Sequence, residues 1–361
     1  LISDETILYF RYVFLYFSGP AILVFGLGSN IFNMIVFTRM GLKDSVTLSL
    51  FSLAISDFCF LSISAMIRSA LIVLLFPEVA PQSISLFDVA YASYWYSTVF
   101  FDTSMLIRVY TAVTRACCVA IPLTFKNTFT KTVTLYVMCA VFSVSIATRM
   151  PLLACQDFQS VFDRKTNTTR IVLYFTPLRP AALAVNDIFS KNIITWGSIG
   201  LVLTSLFVLK FKLVSAAKFR HGMKSGHATS EPNSRDKPSQ PIIIQQRERK
   251  PQSKVSSLPT NEKSRSFLVG KDVQVLKVVI LVSVIFIVCT FPQVVPSVVR
   301  RLVPEFNVGG RYGIVFEVVS IVFDNASFLN SSLNVFVYYS FNTNFRHVAR
   351  RLFNMSMAGK N

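Results

Sequence analysis

Apolar residues gather along this chain into seven long runs, at roughly 8–38, 46–76, 89–121, 133–155, 188–214, 273–303 and 312–340. Each is long enough to supply the ~20 helical residues that cross a hydrocarbon layer. The pattern predicts an all-α membrane protein, a bundle of seven transmembrane helices. Most runs carry scattered Gly, Ser, Thr and Asn, as the interfaces between packed membrane helices do. After the last run, 344–353 reads NFRHVARRLF. Phe345, Val348, Leu352 and Phe353 can share one helical face, with Arg346, Arg350 and Arg351 turned to anionic headgroups. That predicts a short interfacial amphipathic helix.

The third run departs from the others. It holds Asp102, Arg108 and Arg115, each costing roughly 2.5–3.5 kcal/mol at membrane depth on insertion scales. A helix of this kind belongs at the centre of a bundle, where its charges can pair, with Arg115 near the cytoplasmic end. Polar residues recur at depth elsewhere: Asn30 and Asn33 in the first run, Asp57 in the second, and Asp324, Asn325, Asn330, Ser331, Ser332 and Asn334 in the seventh. Any one of them reads as a helix–helix hydrogen bond. Their number predicts a buried polar network through the bundle. Pro292 and Pro296 fall inside the sixth run, where a proline removes a backbone bond and bends the helix.

Composition excludes a water-soluble domain: 52% of residues are hydrophobic and only 15% charged, against about a quarter charged in soluble proteins. The net charge of +18 lies in the joins rather than in a nucleic-acid-binding patch. Arg39, Lys43, Lys126, Lys131, the long basic join over 210–271 and the tail arginines all fall on one side under alternating threading. The positive-inside rule places that side in the cytoplasm and the N-terminus outside. The expected organisation is an extracellular N-terminus over 1–9, read as truncated because the chain opens on Leu1, and a transmembrane domain over 10–340. Within it 215–268 forms a disordered basic cytoplasmic loop, and 341–361 forms the amphipathic helix and tail. Asn167-Thr168-Thr169 is an N-glycosylation acceptor on the outer side. Of six cysteines only Cys155 lies near an outer helix end, so no outer disulfide and no metal site is expected. Neither cofactor nor enzymatic activity is expected: His221, His227 and His347 lie outside the runs, and no nucleophile–base pair can be named. A transporter remains the alternative, since buried charges and broken helices suit one equally; the chain shows no repeat halves.

Taken together, these motifs resemble the rhodopsin-like (class A) G-protein-coupled receptors, over nearly the whole chain from Phe10 to Phe353. Asn30 resembles the family's first-segment asparagine, and Leu53-Ala54 with Asp57 its LAxxD. Arg115 with Ala120-Ile121-Pro122-Leu123 resembles the arginine motif and trailing proline. Phe286, Cys289 and Pro292 resemble FxxCWxP, and Asn330-Ser331, Asn334 and Tyr338 resemble NSxxNPxxY. The wording LKDSVTLSLFSLAISD and CCVAIPLTFK looks like invertebrate, molluscan peptide-type and chemosensory-like receptors. The resemblance implies a plasma-membrane receptor that takes an extracellular ligand and activates a heterotrimeric G protein. Its activation network would comprise Asn30, Asp57, Ser104, Arg108, Arg115, Phe286, Pro292, Asn330, Asn334 and Tyr338.

Departures accompany the match. Thr114 stands in place of the acid before the arginine, Thr290 in place of the sixth-segment tryptophan, Val335 in place of the seventh-segment proline, and Ala90 in place of the disulfide cysteine. A degenerate receptor without efficient G-protein coupling is therefore a second alternative. Asp57 and Ser104 would line a sodium site in similar receptors. Arg108 is expected to pair with Asp57 and displace that ion. The seventh run has no opsin-like lysine, and Ser97 stands where aminergic receptors keep an aspartate. Arg68, Asp102, Gln293, Arg300 and Asp324 remain as a ligand pocket with paired signs, suited to a neuropeptide or polar chemosignal.

Overall fold

The computed structural model describes residues 4–76, 78, 84–164, 167–227, 261–303, 305–307 and 309–358. The chain opens with α1 (Asp4–Phe10), winds through a π-helical stretch (Arg11–Ser18) and continues as α2 (Gly19–Met40). Gly41 ends α2 with φ 84°, a left-handed conformation that glycine enters without a Cβ penalty. Asp44 then starts α3 (Ser45–Val73): its carboxylate accepts from Val46 N, Thr47 N and Thr47 Oγ1 at 3.1, 2.9 and 2.6 Å. These bonds satisfy donors that the first helical turn leaves open. Next come α4 (Leu86–Ala120), the short α5 (Pro122–Thr128) and α6 (Lys131–Leu153).

An antiparallel hairpin follows, β1 (Gln156–Asp163) paired with β2 (Thr168–Phe175), in register from Gln156↔Phe175 to Asp163↔Thr168. Asn167 sits exposed in its turn with φ 54°, a conformation asparagine tolerates better than most residues. Beyond it run α7 (Arg179–Asn186), a second π-helical stretch (Asp187–Ile194), α8 (Thr195–His227), α9 (Asn261–Leu302), α10 (Gly313–Ser332), α11 (Asn334–Phe341) and α12 (Thr343–Ala358). Residues 228–260 of the expected loop lie outside the described residues. Its two ends differ from expectation, since α8 extends to His227 and α9 begins at Asn261. Helix α9 runs through both Pro292 and Pro296.

The protein is mostly helical. Among the described residues, six helical runs are long and apolar enough to cross a membrane: Glu5–Met40, Ser45–Val73, Lys131–Leu153, Arg179–Lys212, Ile280–Arg300 and Gly313–Phe341. Helix α4, with its charges and hydroxyls, stands outside that set. It is nevertheless the helix the others surround, touching α3, α6, α8 and α9. Large apolar side chains such as Tyr136, Phe207, Val288 and Phe291 face outward, an arrangement that a hydrocarbon solvent favours and water does not.

The inward faces form successive clusters. Leu23, Phe60, Leu61, Phe101 and Phe328 pack together, and Met105, Val109, Ala112, Val202 and Phe286 form a second group. At the opposite end from the hairpin, the rings of Phe37, Tyr338 and Phe345 meet in a trio with centroids 5.3–5.7 Å apart. Here the outcome differs from the expected lipid-facing helix. Phe345 and Ala349 of α12 are fully buried against α2 and α11, and Phe353 keeps 57% exposure. Gly26 lets α2 approach its neighbours, because a Cβ there would overlap Ser332 Oγ and come within 2.7 Å of Leu61 Cδ1.

Candidate functional site

The site is built on Asp57, which α3 places fully buried at the middle of the bundle. Its Oδ1 accepts from Ser104 Oγ at 2.6 Å, Arg108 Nη2 at 2.9 Å and Ser331 Oγ at 2.9 Å. Its Oδ2 accepts from Arg108 Nη2 at 3.0 Å and Asn334 Nδ2 at 2.9 Å. Three helices thus send donors to one carboxylate on a fourth: α4 gives Ser104 and Arg108 one turn apart, α10 gives Ser331 and α11 gives Asn334. The break between α10 and α11 falls at Leu333, between the last two donors. It lets Ser331 and Asn334 converge on the same acceptor.

A carboxylate offers about four lone-pair directions, and five contacts fill them here. The residues do not fit a bound sodium ion, because Arg108 already supplies a cation to both Asp57 oxygens and would repel a second one. Arg108 is 3% exposed and Asp57 0%. Charges this deep persist only when paired and hydrogen-bonded.

The network reaches beyond this hub. Asn30 Nδ2 donates to the carbonyls of Gly26 and Ser331, both at 2.9 Å, tying α2 to α10. The Asn330 carbonyl lies 3.5 Å from Arg108 Nη2. Tyr338 and Phe286 are nearly fully buried in the apolar clusters described above. Arg115, two turns along α4 from Arg108, is half-buried and lines a cavity with it. Thr114 is buried, with its hydroxyl turned back to the Thr111 carbonyl at 3.0 Å.

Toward the hairpin end, the expected pocket residues separate into groups. Arg68 Nη2 lies 3.4 Å from Asp324 Oδ2, and its guanidinium sits 5.7 Å from the Phe328 ring centroid. The Asp324 side chain keeps 34% exposure while that of Arg68 keeps 6%, so the acid is the less enclosed member of the pair. Asp102 is instead closed into a second buried pair. Its Oδ2 accepts from Arg149 Nη2 at 2.7 Å, Arg149 Nε at 2.9 Å and Ser190 Oγ at 2.6 Å. Arg149 Nη1 also donates to Asn186 Oδ1 at 2.6 Å. Gln293 carries a buried Oε1 without a hydrogen-bond partner, and Arg300 stacks 5.6 Å from the Phe316 ring.

Sequence reasoning passed over Arg149, Ser190 and Asn186. The available signal was charge balance: Asp102 needed a cation at equal depth, and the fourth run holds one arginine. It also passed over Arg11, whose Nε and Nη2 grip Glu317 at 2.6 and 2.7 Å. The hairpin is fastened to α4 without a disulfide. Leu173 N donates to Asp88 Oδ2 at 3.0 Å, and Arg179 lies 3.5 Å from the Phe175 ring centroid while donating to Tyr91 Oη at 2.7 Å. Cys155 is buried as a free thiol.

Neither the protein-family models nor the curated proteins include a match to this chain.

Proposed function

We propose that this chain is a rhodopsin-like (class A) G-protein-coupled receptor, of the peptide-type or chemosensory-like kind found in molluscs. In this reading α4 is the seventh membrane-crossing helix, the hairpin and N-terminus face outward, and α12 with the α8–α9 join lies in the cytoplasm of a plasma-membrane protein. The observation that carries it is the Asp57 hub. Asn30, Asp57, Ser104, Asn330, Ser331 and Asn334 were singled out by motif position on four separate stretches of sequence. Their side chains or carbonyls meet in one hydrogen-bonded network. Distant motifs that share one network are what a bundle with two alternative packings needs.

The ligand would enter at the hairpin end and engage the half-open carboxylate of Asp324, held by Arg68. Binding there would favour one arrangement of the bundle over another. A heterotrimeric G protein would read that arrangement at the opposite end, around Arg115 and Tyr338. A receptor with weakened coupling is the second reading. It is favoured by Thr114, whose hydroxyl bonds back into its own helix where an acid would restrain Arg115.

The deciding experiment is a second-messenger assay in cells that display the chain, challenged with peptide and odorant libraries. A response is expected that Arg115→Ala abolishes at equal surface expression and that Asp324→Ala also removes. A response indifferent to Arg115→Ala would sink the G-protein reading. Ligand-independent substrate uptake by vesicles would favour a transporter.

A further inference from the structure

We propose that the free edge of β1 binds an extended peptide, which adds to the hairpin as a further strand. The phase of the β1–β2 ladder decides which backbone groups face outward. In an antiparallel pair, residues alternate between those bonded to the opposite strand and those whose N–H and C=O point away from it. Three contacts fix that phase. Phe158 N donates to Asp157 Oδ1 at 2.8 Å, Leu173 N donates to Asp88 Oδ2 at 3.0 Å, and the Ile171 carbonyl accepts from Ser85 N at 3.2 Å. Phe158 stands opposite Leu173 and Ser160 opposite Ile171, so both pairs turn their backbone groups outward. By alternation Phe162 and Thr169 do the same.

The two outer edges are not alike. That of β2 is taken up by this chain: Ile84 bridges Ile171 in parallel, beside the bonds from Ser85 and to Asp88. On β1 the Asp157 carboxylate covers the Phe158 N–H. The N–H groups of Ser160 and Phe162, and the carbonyls of Phe158, Ser160 and Phe162, have no partner among the described residues. The side chains of Phe158, Val161 and Phe162 are exposed beside them. Proteins ordinarily blunt such an edge with lysine, proline or a bulge. β1 reads QDFQSVFD and pairs without a break from Gln156 to Asp163, so it carries none of these.

What fits this edge is another backbone. Its open donors and acceptors recur at every second residue, a spacing that an extended polypeptide reproduces and a lipid does not. The opposite edge already receives extended chain in this way, at Ile84 and Ser85. Phe158 and Phe162 lie on one face of the strand and would meet apolar side chains at alternate positions of the peptide, while the main-chain bonds supply affinity. Taking that peptide as the ligand of a receptor rests on the proposed function; the strand addition itself does not.

The test uses the full chain in lipid nanodiscs and a fluorescein-labelled peptide carrying TTRIVLYF between lysine pairs, the β2 sequence that β1 already pairs with. Fluorescence anisotropy should show saturable binding that empty nanodiscs do not give, with slowed deuterium exchange at Ser160 and Phe162. N-methylating alternate residues of the probe in one phase should abolish binding, and in the other phase should leave it intact, because only every second N–H of an added strand faces its neighbour. Ser160→Pro removes an outward donor and no bond to β2, and Phe158→Ser/Phe162→Ser removes the exposed rings. Each should weaken binding at least about tenfold. Exchange across β2 in the free variants reports whether the hairpin is kept; should the proline unsettle it, the serine pair decides together with the N-methylated probes. Non-saturable binding, equal binding of both N-methylated probes, or unchanged affinity in the serine pair would overturn the proposal. Slow exchange at Ser160 and Phe162 in discs that hold two copies and no probe would also overturn it, in favour of edge-to-edge pairing of two chains. Probe binding by a chain that no peptide activates would uphold strand addition and defeat the receptor reading alone.

Discussion

Removing one partner of the Asp57–Arg108 pair should destabilise the protein more than removing both. Arg108 Nη2 lies 2.9 and 3.0 Å from the two carboxylate oxygens, with both residues buried. Unit charges about 3 Å apart attract by about 5 kcal/mol at an effective dielectric near 20. Most of that offsets the desolvation of two ions, so the intact pair contributes little net stability. A survivor left alone keeps its desolvation cost and loses the attraction, which amounts to about 3–5 kcal/mol. Arg108→Gln and Asp57→Asn should each lower the apparent melting temperature by roughly 6 °C or more, taking about 2 °C per kcal/mol for a chain of this size class. The double variant Asp57→Asn/Arg108→Gln should recover much of the loss, with a coupling of about 2 kcal/mol or more in the mutant cycle. Melting can be followed in detergent with a thiol-reactive dye, because all six cysteines are free and Cys155 is buried. Additive single losses, with coupling under about 0.5 kcal/mol, would refute the reasoning and mean that Asp57 is held chiefly by its neutral donors.

Three further outcomes are expected. Gly26→Leu should destabilise by about 1–3 kcal/mol through overpacking, whereas Gly28→Ala, with nothing within 4 Å of its Cβ, should be neutral or slightly stabilising; matched melting curves compare the two. Arg179→Ala should speed deuterium exchange across β1 and β2, and Arg179→Lys should not restore protection, because the planar group stacked 3.5 Å from the Phe175 ring centroid is lost in both. Asn167→Gln should remove a glycan-dependent shift in gel mobility when the chain is expressed in animal cells; a wild-type chain without such a shift would count against an outward-facing hairpin.

The run lengths, the buried ionic residues and the side-chain spacing on α4 were legible in the linear chain, because the bilayer imposes a strong and local constraint. A charge within an apolar run announces that it has a partner. Asp57 and Arg108 could be matched in this way because each was conspicuous in its own run. Asp102 was equally conspicuous, yet it was assigned to an open pocket, because nothing local told that Arg149 lies at the same depth on the adjoining helix. The helical docking of α12 was half legible. Its periodicity gave the apolar face, but burial of Phe345 and Ala349 on α2 depends on where α2 and α11 end.

The sequence by itself determined which segments are apolar and which charges are buried. These follow from the chemistry of residues close together in the chain. Tertiary structure alone decided which buried cation meets which buried anion, and that four donor atoms make five contacts to Asp57. Those outcomes depend on helix rotation and relative depth, which packing sets across hundreds of residues and no local pattern encodes.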